Sequence, residues 1–187
     1  MSELHQLEYN LAYHGAPALA GIKAADLIAW GTPEQCRGEG FCRYQQELAR
    51  RGICLTVLRA EGPRCLLLVY RREQLARRLE EPAVRAMLAR AGYPVDGTPE
   101  EQLELLAQRL AGGEFPHEVG LFLGYPPEDV AAFCRHRGRD FKVCGCWKVY
   151  CDVEGALRCF RRYRRCREAL CRRLEEGKAL TQLFRAA

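Results

Sequence analysis

The stretch ICLTVLR-AEGPR-CLLLVYR, Ile53 to Arg71, decides how this chain folds. Its two runs, Ile53–Arg59 and Cys65–Arg71, are apolar at nearly every position rather than at alternate ones. A strand with one wet face alternates, whereas a strand covered on both faces reads as a continuous apolar run. The link from Ala60 to Arg64 holds Gly62 and Pro63, and five residues of that kind suit a hairpin. The reading is therefore a central hairpin with helices on both of its faces.

Outward from the hairpin, helical patterns dominate. Residues 3–13 carry Leu4, Leu7 and Leu11 on one face. His14-Gly15-Ala16-Pro17 is expected to break that helix, Pro17 to open a short second one, and Gly21 and Lys23 to end it. Asp26–Trp30 reads as a short strand, Gly31–Gly40 as a turn-rich loop, and Phe41–Arg51 as a helix closed by Gly52. Beyond the hairpin, short helices are expected over Glu73–Glu80 and Ala83–Ala91. Thr98-Pro99-Glu100-Glu101 is a capping box that starts a helix to about Leu110. The centre of 114–126 reads as a buried strand or a short apolar helix. Pro127 opens a helix closed by Gly138. Phe141–Cys151 is expected to be a strand with Phe141, Val143, Trp147 and Val149 on one face and Lys142, Cys144, Cys146 and Lys148 on the other. Asp152 then caps a long helix ending near Gly177. The fold class is α/β or α+β: a single domain over 1–187, a small mixed sheet around the hairpin, and a long basic C-terminal helix over 152–177.

Composition bounds the function classes. Of 187 residues, 48% are hydrophobic and 28% charged, an ordinary globular balance. The first ten residues, MSELHQLEYN, contain acids and no apolar core of an export signal, and no apolar run approaches the length of a membrane span. A cytoplasmic protein is expected, in a compartment that keeps the eleven cysteines reduced. Most of those cysteines read as small buried hydrophobes. The run Cys144-x-Cys146-x4-Cys151 fits no structural zinc pattern well, so no metal ligands are assigned. Cys159 and Cys166 share a helix face but lie about 10 Å apart, too far to pair with each other. The glycine-rich nucleotide loops, His-Glu-x-x-His and Gly-x-Ser-x-Gly are all missing from the sequence.

Three places carry chemistry. His14 with Lys23 is suited to hold an anion against free N–H groups at a helix start. His117 and Glu118 follow a Gly-Gly break, and His117 has a side chain that titrates near neutral pH. The catalytic candidates are thus His14, His117 and Glu118. Between Arg158 and Arg173 stand eight arginines and one acid, Glu168. Such a run is most simply a solvated helix face with Phe160 and Tyr163 turned to the core; Arg161, Arg162 and Arg165 are the candidates for gripping an acidic partner. Nucleic acid is a weaker expectation, since the excess charge is only +5.

Four segments occur in an order that resembles the bacterial domain-of-unknown-function family numbered 3793: His14-Gly-Ala-Pro-Ala-Leu-Ala-Gly-Ile-Lys23, Leu68-Val-Tyr-Arg71, Phe115-Pro-His-Glu-Val-Gly-Leu-Phe-Leu-Gly-Tyr-Pro126 and Cys144-Gly-Cys-Trp-Lys-Val-Tyr150. The resemblance covers nearly the whole chain and implies a small cytoplasmic protein without an assigned activity or cofactor. It also implies that Gly15 often gives way to Cys, Ala18 to Thr and Cys146 to an aromatic residue in that family. These departures speak against an essential thiol beside His14. From the same segments, Lys23, Tyr125, Trp147 and Lys148 are taken as ligand-binding candidates. The favoured expectation is a domain that binds a small molecule or anion in a pocket of His14, Lys23 and His117. The alternatives are an interaction protein whose arginine helix docks an acidic redox carrier such as flavodoxin, and a thiol-redox or metal-associated protein.

Overall fold

The computed structural model describes residues 3–61, 63–112 and 115–184. The hairpin forms as expected: β2 (Ile53–Arg59) pairs antiparallel with β3 (Cys65–Arg71), with a register shift between Val57 and Arg59. The other edge of β3 pairs antiparallel with β1 (Ala25–Trp30), Trp30 opposite Cys65 and Ala25 opposite Tyr70. The sheet order is β1-β3-β2. The expected mixed sheet is therefore wholly antiparallel, because the strand upstream of the hairpin runs against its centre.

Both faces of this sheet are covered, which explains the apolar run in β3. On one side Leu67 and Val69 meet α1 (Glu3–Leu19), α3 (Glu39–Ala49) and the end of α9 (Val153–Glu175). On the other, Leu68 and Tyr70 meet α4 (Arg72–Leu79), α5 (Pro82–Arg90), α6 (Pro99–Ala111), α7 (Val119–Phe122) and α8 (Pro127–His136). Buried Glu8 of α1 accepts from Tyr44 Oη and from the Leu180 amide, each at 3.0 Å. It thereby ties α10 (Leu180–Leu183), which the sequence reading did not anticipate, to the N-terminal helix. The result is a single α+β domain.

Three local expectations are corrected. First, α1 does not break at His14; it runs through Pro17, which lies inside the last turn. Pro17 has no N–H for the Tyr13 carbonyl and its ring crowds that carbonyl, and the helix ends two residues on, at Leu19. The Pro17 carbonyl instead receives the amides of Ile22 and Lys23, and Gly21 ends the helix with φ +70°. Leu7 and Leu11 are buried, but Leu4 is exposed. Second, the loop expected over 31–40 contains α2 (Pro33–Arg37), started by a Thr32–Gln35 capping box. Third, Phe141–Cys151 is no single strand. It folds back as a hairpin of β4 (Val143–Cys144) and β5 (Lys148–Val149), with the Gly145 amide on the Trp147 carbonyl at 3.0 Å. Gly145 permits the reversal because a Cβ there would lie 2.2 Å from the Phe160 ring. The expected division of that segment into two strand faces falls with it. The helix after Asp152 is as read: the Asp152 carboxylate accepts from the Gly155 amide at 2.9 Å.

Candidate functional site: a two-lobed cavity

The C-terminal end of α1, the start of β1 and one face of α9 enclose a polar lobe of about 420 Å³. At its base Lys23 and Asp26, 8% and 6% exposed, form an ion pair. Asp26 also accepts from the Ala18 amide at 3.1 Å, a donor from the same continuous helix end that corrects the reading of 14–17. No helix start is present there, so the free N–H groups expected around His14 do not exist. The Lys23 ammonium lies 5.3 Å from the centre of the Tyr125 ring and 5.8 Å from that of Tyr163.

Arg167 of α9 faces the same lobe. Its guanidinium rests 5.0 Å from the Tyr13 ring centre, its buried Nε has no hydrogen-bond partner, and no carboxylate among the described residues pairs with it. His14 stands at the lip with its ring edge against Tyr13. Its pKa is held below the ordinary histidine value, first by desolvation and then by the Arg167 charge. Burial raises the Asp26 carboxyl, with Lys23 opposing, and it raises the Tyr125 phenol and the Cys146 thiol. Whichever way the proton on Asp26 lies, the lobe keeps an excess of positive charge.

A second lobe of about 410 Å³ adjoins the first and shares Phe115, Val119, Tyr125 and Cys146 with it. It is framed by α7, α8 and the β4–β5 hairpin. Its polar groups are largely committed. Asp129, 3% exposed, accepts from Trp147 Nε1 at 2.8 Å, from the Tyr150 amide at 2.8 Å and from the Cys151 amide at 3.0 Å. Lys148 Nζ donates to the Gly138 carbonyl at 2.7 Å. Tyr125 stacks on Trp147 with centroids 5.3 Å apart. His117 lies at the rim with its ring edge on Phe133.

A family model described as "Protein of unknown function (DUF3793)" matches residues 11–184. The chain belongs to this family. No curated protein and no solved structure matches it. Three of the four segments that carried the family resemblance, 14–23, 115–126 and 144–150, supply lining residues to the two lobes. The fourth, 68–71, is the end of central strand β3.

The residues singled out from sequence distribute as follows. His14 and Lys23 line the polar lobe; His117, Trp147 and Lys148 line the other; Tyr125 lines both. The two histidines thus flank a common wall rather than one chamber. The Lys23 charge is already met by Asp26. Glu118 lines neither lobe and sits before α7 rather than on a strand; it pairs with Arg109 and accepts from Tyr93 Oη at 3.4 Å, tying α7 to α6. Arg161, Arg162 and Arg165 are exposed, while Phe160 and Tyr163 turn inward as expected.

Arg167, Asp26 and Asp129 were not singled out in advance. For Arg167 a signal existed. Ala156, Phe160, Tyr163, Arg167, Leu170 and Leu174 recur at three- and four-residue spacing, so Arg167 occupies a position of the inward stripe. The eleven cysteines are all free. Among the described residues no three His, Cys, Asp or Glu side chains gather as a metal site, and no helix is long and apolar enough to cross a membrane.

Proposed function

We propose that this protein binds a small anion in the polar lobe, with Arg167 as the principal charge and His14 as a second donor at the lip. The observation that carries this is the Arg167 guanidinium, which faces a cavity with a buried, unpartnered Nε and no carboxylate of its own. A guanidinium in that state is suited to a carboxylate, sulfonate or phosphate, which would complete its hydrogen bonds. Lys23 contributes by orienting Asp26 and Tyr125 rather than by offering free charge. We place the protein in a reducing compartment, the cytosol, on the strength of its eleven free thiols. Arg167→Gln is expected to weaken sulfate binding roughly tenfold or more, read by NMR titration of the intact chain. Unchanged affinity would remove the proposal.

The lowered His14 pKa gives a second expected result, with the following sign. Above that value the free imidazole is neutral, and a bound anion favours its protonated form. Binding therefore takes up a proton, and affinity rises as pH falls through the bound-state pKa until the free imidazole is itself charged. Sulfate keeps its charge over the histidine range, so binding that tightens as pH falls below neutral, and that His14→Gln no longer shows, is the predicted profile. A flat profile in the wild type would exclude His14 from the site.

A second reading has its own observation. Arg161, Arg162, Arg164 and Arg165 are exposed on α9, and none pairs with a carboxylate among the described residues. That face suits an acidic protein partner. Binding to an acidic protein such as flavodoxin is expected to weaken steeply with salt and to disappear when Arg161, Arg162 and Arg165 become Glu. Binding indifferent to both would dismiss the docking surface.

A further inference from the structure

The wall shared by the lobes has an unusual composition for a protein surface. Phe115, 49% exposed, stands at the lip of both lobes. Behind it the second lobe presents the faces and edges of Tyr125, Phe133 and Trp147 with Val119 and Val130. The hydrogen-bonding groups within that lobe are mostly engaged: Trp147 Nε1 and the Tyr150 and Cys151 amides donate to Asp129, and Lys148 donates to the Gly138 carbonyl. An occupant would gain apolar and ring contact there and little directional bonding. Gly120 keeps the lobe floor low: a Cβ at that position would come within 3.0 Å of both Tyr125 and Val130. The volume, about 410 Å³, lies in the range of small-molecule pockets, and the opening joins directly to the cationic chamber.

We infer that the ligand is a planar aromatic anion, its charged group on Arg167 in the polar lobe and its ring between Phe133, Trp147 and Tyr125 in the apolar one. This rests on the anion-binding reading above and adds the class of molecule. A ring seated in this way covers Phe115 and the shared wall, and offset or edge contacts with the three aromatic side chains add to the area it buries. A simple inorganic anion would leave the second lobe vacant of any partner for its rings.

Matched pairs separate head from body: methanesulfonate against phenylmethanesulfonate, and acetate against phenylacetate, with benzyl alcohol as the uncharged control. Titrations use the intact chain and NMR shifts. Each phenyl anion is expected to bind at least roughly tenfold tighter than its methyl counterpart, and tighter than benzyl alcohol. Phe133→Ala should remove most of that advantage while leaving methanesulfonate binding as it was. Arg167→Gln should weaken every anion. In a Trp30→Phe background Trp147 is the sole tryptophan, and its emission should change with phenylmethanesulfonate but not with methanesulfonate. That emission readout stands in if Phe133→Ala fails to fold. Equal affinity of phenyl and methyl anions, or a silent Trp147, overturns the inference; the anion reading survives that result if methanesulfonate still depends on Arg167, and falls if it does not. The stronger of the sulfonate and carboxylate series identifies the charged group.

Discussion

Replacing Asp26 by alanine is expected to destabilise the protein by about 3–5 kcal/mol, because it strands a buried ammonium. Lys23 and Asp26 are almost fully enclosed, and the carboxylate also holds the Ala18 amide. Alanine would remove the countercharge and one hydrogen-bond acceptor together. The double variant Lys23→Met with Asp26→Asn should recover most of the loss, since it removes the stranded charge and keeps an oxygen for Ala18. Urea unfolding of the three proteins checks both statements. A loss below about 1 kcal/mol for Asp26→Ala would mean that water reaches the pair and screens it.

Asp129→Ala has a comparable expected cost, about 3–5 kcal/mol, for a different reason. Here a single carboxylate satisfies three N–H donors around the β4–β5 hairpin, two of them buried in full. Each donor left without a partner costs about 1–3 kcal/mol. The hairpin has only two paired residues on each side, so its backbone ladder cannot hold it alone. The variant should change the near-ultraviolet signal of Trp147 and lose any aromatic ligand while Arg167 still binds sulfate. Asn at 129 retains one acceptor oxygen and should recover part of the stability. Near wild-type unfolding of Asp129→Ala would show that the hairpin is held by packing of Trp147 and Val149 instead.

The elements legible in sequence are those fixed by local chemistry. The β2–β3 hairpin announced itself through two continuous apolar runs and a Gly-Pro link. The helices after Thr98 and Asp152 were marked by their caps, and both caps form. Thr32-Pro33-Glu34-Gln35 carries the same cap chemistry as Thr98-Pro99-Glu100-Glu101, so α2 is legible in the sequence despite its flanking glycines. What could not be read is what depends on distant partners. Pro17 is expected to break a helix, yet α1 continues through it to Leu19, where the Ala18 amide finds Asp26, eight residues on. The fold-back at Gly145 depends on Phe160, fifteen residues on in the chain. Residues of both histidine segments line the two lobes. Glu118 turns toward Arg109, which no spacing rule anticipates, and Arg167, the arginine proposed for the anion, stands in an otherwise apolar stripe.

The strand order has a bearing on how the site comes into being. β3 meets β2 across a short turn, so that pairing closes a small loop and carries little entropic cost. β1 reaches the opposite edge of β3 only after the whole of α2, α3 and β2 has been laid between them, a much larger closure. Closing a larger loop costs more chain entropy before its contacts repay it. His14, Lys23 and Asp26 belong to α1, β1 and the link between them, so the cationic chamber depends on the pairing that closes the larger loop. Loss of the β1–β3 pairing would leave the β2–β3 hairpin intact and open the base of the polar lobe, where Lys23 and Asp26 sit.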